Sequence, residues 1–552
     1  MDFMQKYLFW TQNADAKTKA ELKAIEGDNE EIYARFGSEL KFGTAGMRGI
    51  IGAGTNRINR FVVAKATKGF ADYINSVPSA AKRGIAIGYD NRHKSYEFAL
   101  VTAGVLAANG IKSYLFESLR TTPELSFAVR YLNCFGGVVI TASHNPPEYN
   151  GYKLYDENGC QLVPALAEKI MDNIAKIDNE LSVEVLSLDE AGDLIEIIGE
   201  NVDAPYYEKV LDLRFDKSTD KNVTVIYTPE HGTGNLPVRY VLGKAGYNVI
   251  PVLDQCESDP DFSNTKSPNP ELPAAYEKAI ELLKAHNADI AIATDPDCDR
   301  LGAVINHKGE QILLTGNQSG AVILYYLLSR HKANGTLPEN AVMFNTVVTS
   351  SLGDKIAEGF GVTTEKTLTG FKFIGEKIEN HNKLGDKKFI FGYEESYGCL
   401  IGDFVRDKDA VQASLMFCEA ADYYKKQNKT LVDVLEEIFG KFGYFLDTQV
   451  SLTFKDARGS EKIKAIMQNL RATKRTDIAG YELASTTDFS EDIEGFVKSD
   501  VLLYTFKDGG FVAVRPSGTE PKCKFYYCIQ GADKAEAEEK LNKIKKEFEI
   551  NG

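Results

Sequence analysis

The run GIAIGYD (residues 84–90), a helical stretch from Ser95 to Asn109, then IKSYLF (111–116) and GGVVITAS (136–143) decide the fold. Short apolar, β-rich runs separated by helix-length segments are the βαβ pattern of a largely parallel sheet with helices on its faces. The rhythm returns as VTVIYT (223–228), NVIPVL (248–253) and DIAIATD (289–295), and again as AVMFNTV (341–347) and KFIFGYEE (388–395). From about Tyr444 the pattern changes to α+β, with strands expected near Gln449, Leu502, Phe511 and Cys523 and a last helix from Asp533. Each α/β block ends a strand in a polar, turn-rich motif: TASHNP (141–146), DPDCDR (295–300) and GYEES (392–396). Ligands collect outside the carboxyl ends of such strands, so the three ends are expected to share one cleft. Four domains follow, at 1–200, 201–307, 308–440 and 441–552.

Outward from these motifs, composition narrows the function. The chain has 552 residues, 43% hydrophobic and 26% charged, as expected of a soluble protein with several cores. Its formal charge of −15, with no basic run to offset it, argues against nucleic acid as a partner. An anionic small molecule would need a focused cluster of cations and N–H groups. The opening MDFMQKYLFWTQNADAK has no basic, apolar and small-residue succession, so it does not read as a signal peptide. The longest apolar run, Ala321 to Leu328, is too short to span a bilayer. A cytoplasmic location and no membrane partner are expected. The eight cysteines form no CxxC pair, and buried free thiols are expected rather than disulfides or zinc.

Asp295, Asp297 and Asp299 alternate directly after a buried-strand pattern. In a continued strand the outer two would stand ~13 Å apart, too far to share one ion, so the segment must curl. Three acids this close need a cation, and an all-oxygen set favours magnesium, calcium or manganese over zinc. A calcium EF-hand is excluded, because its sixth and twelfth positions need Gly and Glu where this chain has Arg300 and Asn306. A haloacid-dehalogenase-type phosphotransferase also uses a DxD, but leaves Ser143 and RPSGTEPK (515–522) unexplained. An acidic, solvated turn is the remaining alternative.

Ser143 and His144 are adjacent, and neighbouring side chains point apart, which disfavours a Ser-His hydrolase dyad; GxSxG is also absent. The loop instead offers a hydroxyl at a strand end with His144, Asn145 and Lys153 near by. A phosphoryl group there would add about −1.5 to −2 charge and an extra ligand for an ion at the Asp loop. RPSGTEPK combines Arg515 and Lys522 with Ser517, Gly518 and Thr519, a set of anion donors, though a polar turn would use the same residues. Glu394 and Ser396 can bond vicinal sugar hydroxyls, or merely mark a helix start. GTAGMRG (43–49) is a glycine loop carrying Arg48, a candidate for a transferring phosphoryl group. His231, in TPEHGTG (228–234), reads as a loop-ordering residue.

These motifs, in this order over essentially the whole chain, resemble the α-D-phosphohexomutase superfamily. The resemblance implies four domains around a central cleft, three α/β domains with mixed sheets and a C-terminal TBP-like α+β domain. It implies a phosphoserine at Ser143, Mg2+ held by Ser143, Asp295, Asp297 and Asp299, and a sugar gripped by Glu394 and Ser396, with Arg300 also on the substrate. Arg515, Ser517, Gly518, Thr519 and Lys522 would hold the distal phosphate. The chain departs from the commoner metal loop, which has Gly or Ala where Pro296 and Cys298 stand, and TASHNPPEYNGYKLY (141–155) looks closer to the type-2 branch. That branch includes enzymes acting on phosphopentoses or making glucose 1,6-bisphosphate.

The implied activity is an isomerase interconverting α-D-glucose 1-phosphate and glucose 6-phosphate through phospho-Ser143 and glucose 1,6-bisphosphate. Arg48 and Mg2+ would stabilise the transferring group, and His144, Lys153 and Lys372 are the acid/base candidates. Mannose or pentose phosphates, or synthesis of the bisphosphate, are the alternative activities. A sugar-phosphate phosphatase and a sugar-phosphate-binding scaffold are the competing classes. A monomer or homodimer is expected.

Overall fold

The computed structural model describes residues 1–43, 46–454, 459–517 and 522–548. In the first sheet the strands run in the order Met47–Ile50, Tyr149–Tyr155, Gly136–Ile140, Ile85–Tyr89, Ser113–Phe116 and Ile195–Ile198. Its first two pairings are antiparallel and the rest parallel. The second sheet, Glu310–Leu313, Leu301–His307, Ile290–Thr294, Thr224–Thr228 and Asn248–Pro251, repeats that mixture. The third places Thr363–Thr367, Ala341–Thr346 and Lys388–Tyr393 in parallel, with Cys399–Leu400 antiparallel at the edge. Central strands such as Gly136–Ile140 and Ile290–Thr294 are buried throughout, so they read as continuous apolar runs.

The last sheet is wholly antiparallel: Tyr444–Thr453, Lys522–Gly531, Phe511–Pro516, Leu502–Phe506, Tyr481–Asp488 and Asp477–Ile478. The helix Lys534–Glu547 closes it, capped by Asp533, whose side chain accepts the N–H of Glu536. Tyr481–Asp488 was not expected as a strand. Most of its side chains are exposed or half-buried, so it lacks the apolar face that marks a strand in sequence.

Three short N-terminal helices, Phe3–Asn13, Ala16–Lys23 and Asn29–Phe36, are each capped by an aspartate: Asp2, Asp15 and Asp28. They enclose Tyr7, Trp10, Leu22, Ile32 and Phe36. One apolar cluster runs from Ala86 through Tyr227, Phe344 and Tyr393 to Tyr526, so all four sheets contribute to a common interior. Ala321 to Leu328 lies in the buried core helix Gly316–Asn334. Among the described residues no helix is long and apolar enough to cross a membrane. All eight cysteines are free and buried.

Candidate active site

Gly136–Ile140 runs into the serine loop, Ile290–Thr294 into the Asp loop and Lys388–Tyr393 into Glu394. Ser143 is only 3% exposed and sits at φ +52°, a left-handed conformation that costs a non-glycine residue about 1–3 kcal/mol. Its N–H donates to Thr141 Oγ1 at 2.8 Å and its Oγ donates to Asp295 Oδ2 at 2.7 Å. Adjacent side chains were expected to diverge. The left-handed turn instead brings Ser143 Oγ to 3.1 Å from His144 Nδ1. Burial, with Arg300 and Arg48 adding, holds the His144 imidazole well below its ordinary range and therefore neutral. Arg48 donates from Nη1 to Asn145 Oδ1 at 2.7 Å.

The Asp loop curls: Cys298 N–H returns to the Asp295 carbonyl at 2.9 Å, with Cys298 at φ +57°. That conformation favours glycine, so Cys298 holds it as a non-glycine residue. Asp295 Oδ1 accepts the N–H groups of Asp299 and Arg300 at 3.1 and 3.0 Å. Asp297 Oδ2 accepts from Thr122 Oγ1 at 2.9 Å and Lys153 Nζ at 2.8 Å. Asp299 Oδ2 lies 3.1 Å from Lys408 Nζ and 4.0 Å from Lys153 Nζ. All three acids are buried, and one oxygen from each falls within 4.8 Å of the others. Burial and then the two neighbouring acids push the Asp295 carboxyl well up. Against burial, Lys153 and Thr122 hold Asp297 below the usual carboxylate range.

Asp297 Oδ1 and Asp299 Oδ1 are buried with no hydrogen-bond partner. Unspent carboxylate oxygens in a cluster of three acids, one of which holds Ser143 Oγ, fit a hard divalent cation that takes oxygen ligands. Among the described residues no other cluster of three acid, His or Cys side chains could hold a metal ion.

Glu394 Oε1 accepts the Gly370 N–H at 2.8 Å, and burial raises its carboxyl against the pull of Lys408 and Arg300. Arg300 pairs with Glu271 and lies 3.6 Å, through Nε, from Asp299 Oδ1. Ser396 is half-buried in the turn after Glu394. Burial, then Arg515, pushes the Lys372 amine down to about 8. Ser517 N–H donates to the Lys522 carbonyl at 2.8 Å. Gly518 and Thr519 lie outside the described residues.

The sequence reading did not single out Lys408, Thr122 or Arg92. Lys408 stands in the alternating charges of RDKD (406–409), a signal available in sequence; Thr122 carries none. His231 orders its loop, as expected, donating from Nδ1 to the Glu257 carbonyl at 2.7 Å and accepting the Asn264 N–H on Nε2 at 3.3 Å. That loop braces the Asp loop, because Thr233 donates N–H and Oγ–H to the Pro296 carbonyl at 2.8 and 2.9 Å. A Cβ on Gly232 would meet Pro296 Cα at 2.4 Å. Gly232→Ala is therefore expected to lower unfolding free energy by about 1–3 kcal/mol, measurable by urea denaturation.

Comparison with known proteins agrees with this architecture. Models of the phosphoglucomutase/phosphomannomutase α/β/α domains I, II and III match residues 39–181, 204–309 and 315–442, and that of the C-terminal domain matches 455–547. A phosphoglucomutase of Staphylococcus epidermidis is 40% identical over 91% of this chain and 92% of its own length. One from Staphylococcus aureus is 37% identical over 97% of each chain. A phosphoglucomutase/phosphomannomutase family protein from Burkholderia thailandensis superposes with a TM-score of 0.69 at 18% identity, covering 93% of this chain and 97% of its own. The open form of the Paramecium phosphoglucomutase parafusin gives 0.68 at 19% identity, covering 92% and 95%. With all four domain models matched in order, the chain belongs to the phosphoglucomutase/phosphomannomutase family.

Proposed function

We propose that this protein is a phosphoglucomutase, interconverting α-D-glucose 1-phosphate and glucose 6-phosphate through phospho-Ser143 and glucose 1,6-bisphosphate. The observation that carries the reading is the hydrogen bond of 2.7 Å from Ser143 Oγ to Asp295, at the edge of three buried acids. As a free hydroxyl, Ser143 satisfies Asp295 with its proton. Phosphorylation removes that proton and sets a second negative group against the acids, which then require a cation. Asp295, Asp297, Asp299 and the serine phosphoryl would hold Mg2+, which when bound offsets charge on the transferring oxygens.

The free hydroxyl of the sugar phosphate attacks phosphorus. The bond from phosphorus to Ser143 oxygen breaks as the bond to the sugar oxygen forms; the sugar hydroxyl loses its proton to a base, and the departing Ser143 oxygen takes one up to become the hydroxyl that donates to Asp295. His144, beside Ser143 Oγ, and Lys153, on Asp297, are the candidates for that role. Lys372, beside Arg515, serves the non-reacting phosphate, together with Ser517, Gly518, Thr519 and Lys522. Arg48 steadies the transferring group, while Arg300, Glu394 and Ser396 hold the sugar. The bisphosphate then turns over and returns its other phosphoryl group to Ser143, with domain four moving to admit and release substrate. In this reading the domains are 1–200, 201–307, 308–440 and 441–552, and the protein acts in the cytoplasm on small sugar phosphates, as a monomer or homodimer.

Purified protein given glucose 1-phosphate, Mg2+ and a trace of glucose 1,6-bisphosphate should yield glucose 6-phosphate. Release of inorganic phosphate without interconversion would replace the mutase by a phosphatase. Mannose, glucosamine and ribose 1-phosphates in the same assay test substrate choice. Exhaustive chelation should lower turnover at least ~10²-fold, reversibly on adding Mg2+; full activity in chelator would remove the ion from the site.

A further inference from the structure

The side chain of Arg92 is completely buried beneath the serine loop, yet no step above uses it. Its Nη2 donates to the carbonyl oxygen of Ser143 at 2.6 Å and to that of Asn145, and its Nη1 donates to the carbonyls of Pro146 at 2.8 Å and Tyr149 at 3.1 Å. Four carbonyls from one short segment thus converge on a single planar cation. Turning those carbonyls inward is what the left-handed turn at Ser143 demands, and buried carbonyls need donors. A guanidinium presents its donors in a rigid fork, which the single nitrogen of a lysine cannot reproduce.

Arg92 is itself anchored on both sides. Asp90 Oδ1 accepts the Arg92 N–H at 2.9 Å and the Ser95 hydroxyl at 2.6 Å, and Asp90 Oδ2 lies 3.5 Å from Arg92 Nε. The guanidinium also stacks over Phe262, with Cζ 5.0 Å from the ring centroid. Next to it, Asn91 Nδ2 donates to the Asp259 carbonyl at 3.1 Å and His93 Nε2 meets Asp261 Oδ1 at 2.6 Å. Segment 90–95 therefore ties the serine loop to 259–262, in the same unit as the Asp loop. Those are the two loops whose 2.7 Å contact carries the proposed reaction.

We propose that Arg92 is a positioning residue for phosphoryl transfer: it gathers the carbonyls of residues 143–149 and docks them on Phe262, holding Ser143 Oγ in line with the Asp loop. It acts through the loop, not on the substrate, and the inference rests on the mutase reading above. The test uses full-length Arg92→Ala, Arg92→Lys and Phe262→Leu with Mg2+ present. For Arg92→Ala, kcat should fall ~10²-fold, the cost of misplacing a reacting group by about 1 Å, while KM for glucose 1-phosphate is unchanged. Added guanidinium ion at non-denaturing concentration should restore part of that rate, and Arg92→Lys should recover little. Phe262→Leu, which leaves every hydrogen bond of Arg92 in place, should lower kcat by a smaller factor, again with KM unchanged. Hydrogen exchange should quicken at amides 143–151 and remain slow in the strands Ile85–Tyr89 and Gly136–Ile140.

Wild-type kcat in folded Arg92→Ala overturns the inference. So does a loss confined to KM, or faster exchange spread evenly over the first sheet. If Arg92→Ala does not fold, Arg92→Lys and Phe262→Leu face the same kcat and KM criteria. A wild-type chain without mutase turnover would sink the functional reading instead, and exchange at 143–151 would still decide whether Arg92 orders the loop.

Discussion

Ser143→Ala is expected to remove steady mutase turnover, by roughly 10⁴- to 10⁶-fold, while leaving the protein folded. Alanine keeps the Cβ, so the left-handed backbone at this position gains no new strain. What goes is the hydroxyl that donates to Asp295 Oδ2 at 2.7 Å, a bond to an acid worth about 1–3 kcal/mol. The neighbouring support is untouched, because Thr141 Oγ1 bonds the backbone N–H of residue 143 and Arg92 bonds its carbonyl. The loss should therefore be chemical. A coupled assay reports turnover, and intact mass should show a phosphate adduct on the wild type and none on the variant. Undiminished turnover would sink Ser143 as the phosphoryl carrier.

Strands buried on both faces announce themselves, and so GGVVITAS, DIAIATD and KFIFGYEE could be read as strands leading into the functional loops. The edge strand Tyr481–Asp488 could not, since alternation fails when most of its side chains face water. The Asp triad was equally legible, because three acids at alternate positions after an apolar run have few stable arrangements other than around a cation. Their partners were not. Lys408, more than a hundred residues downstream in sequence, reaches Asp299 only because the third unit folds against the second. Arg92 contacts carbonyls, and backbone acceptors leave no mark in a sequence.

The contact between Ser143 Oγ and His144 Nδ1 shows the same limit at short range. That adjacent side chains diverge holds for ordinary backbone, and one residue at φ +52° reverses it. Function and strain coincide at this loop, where local rules are least able to anticipate geometry.

Asp295→Asn should separate catalysis from stability. Catalysis is expected to drop about 10³-fold, since the variant loses both a ligand charge and the carboxylate facing the phosphoryl carrier. Stability should move the other way when metal is chelated. No cation is paired with Asp295 among the described residues; its Oδ1 accepts backbone N–H groups and its Oδ2 the Ser143 hydroxyl. An asparagine oxygen can keep the backbone bonds, and the serine hydroxyl can rotate to accept from the amide nitrogen. Burial and two neighbouring acids push the Asp295 carboxyl well up, so the folded state binds that proton more tightly than the unfolded chain does. Wild-type stability contributed by this group is thus present at low pH and lost as pH rises above the ordinary carboxylate range. The amide carries no such loss, and its chelated thermal midpoint should equal or exceed the wild type at pH 7. Mg2+ should reverse the order, because an ion bound only by the folded state adds about 2.7 kcal/mol at a hundred times its Kd, and the variant binds it more weakly. Thermal unfolding with chelator and with Mg2+ measures both midpoints; if wild type is the more stable in both, the three acids are not a site held open for a cation.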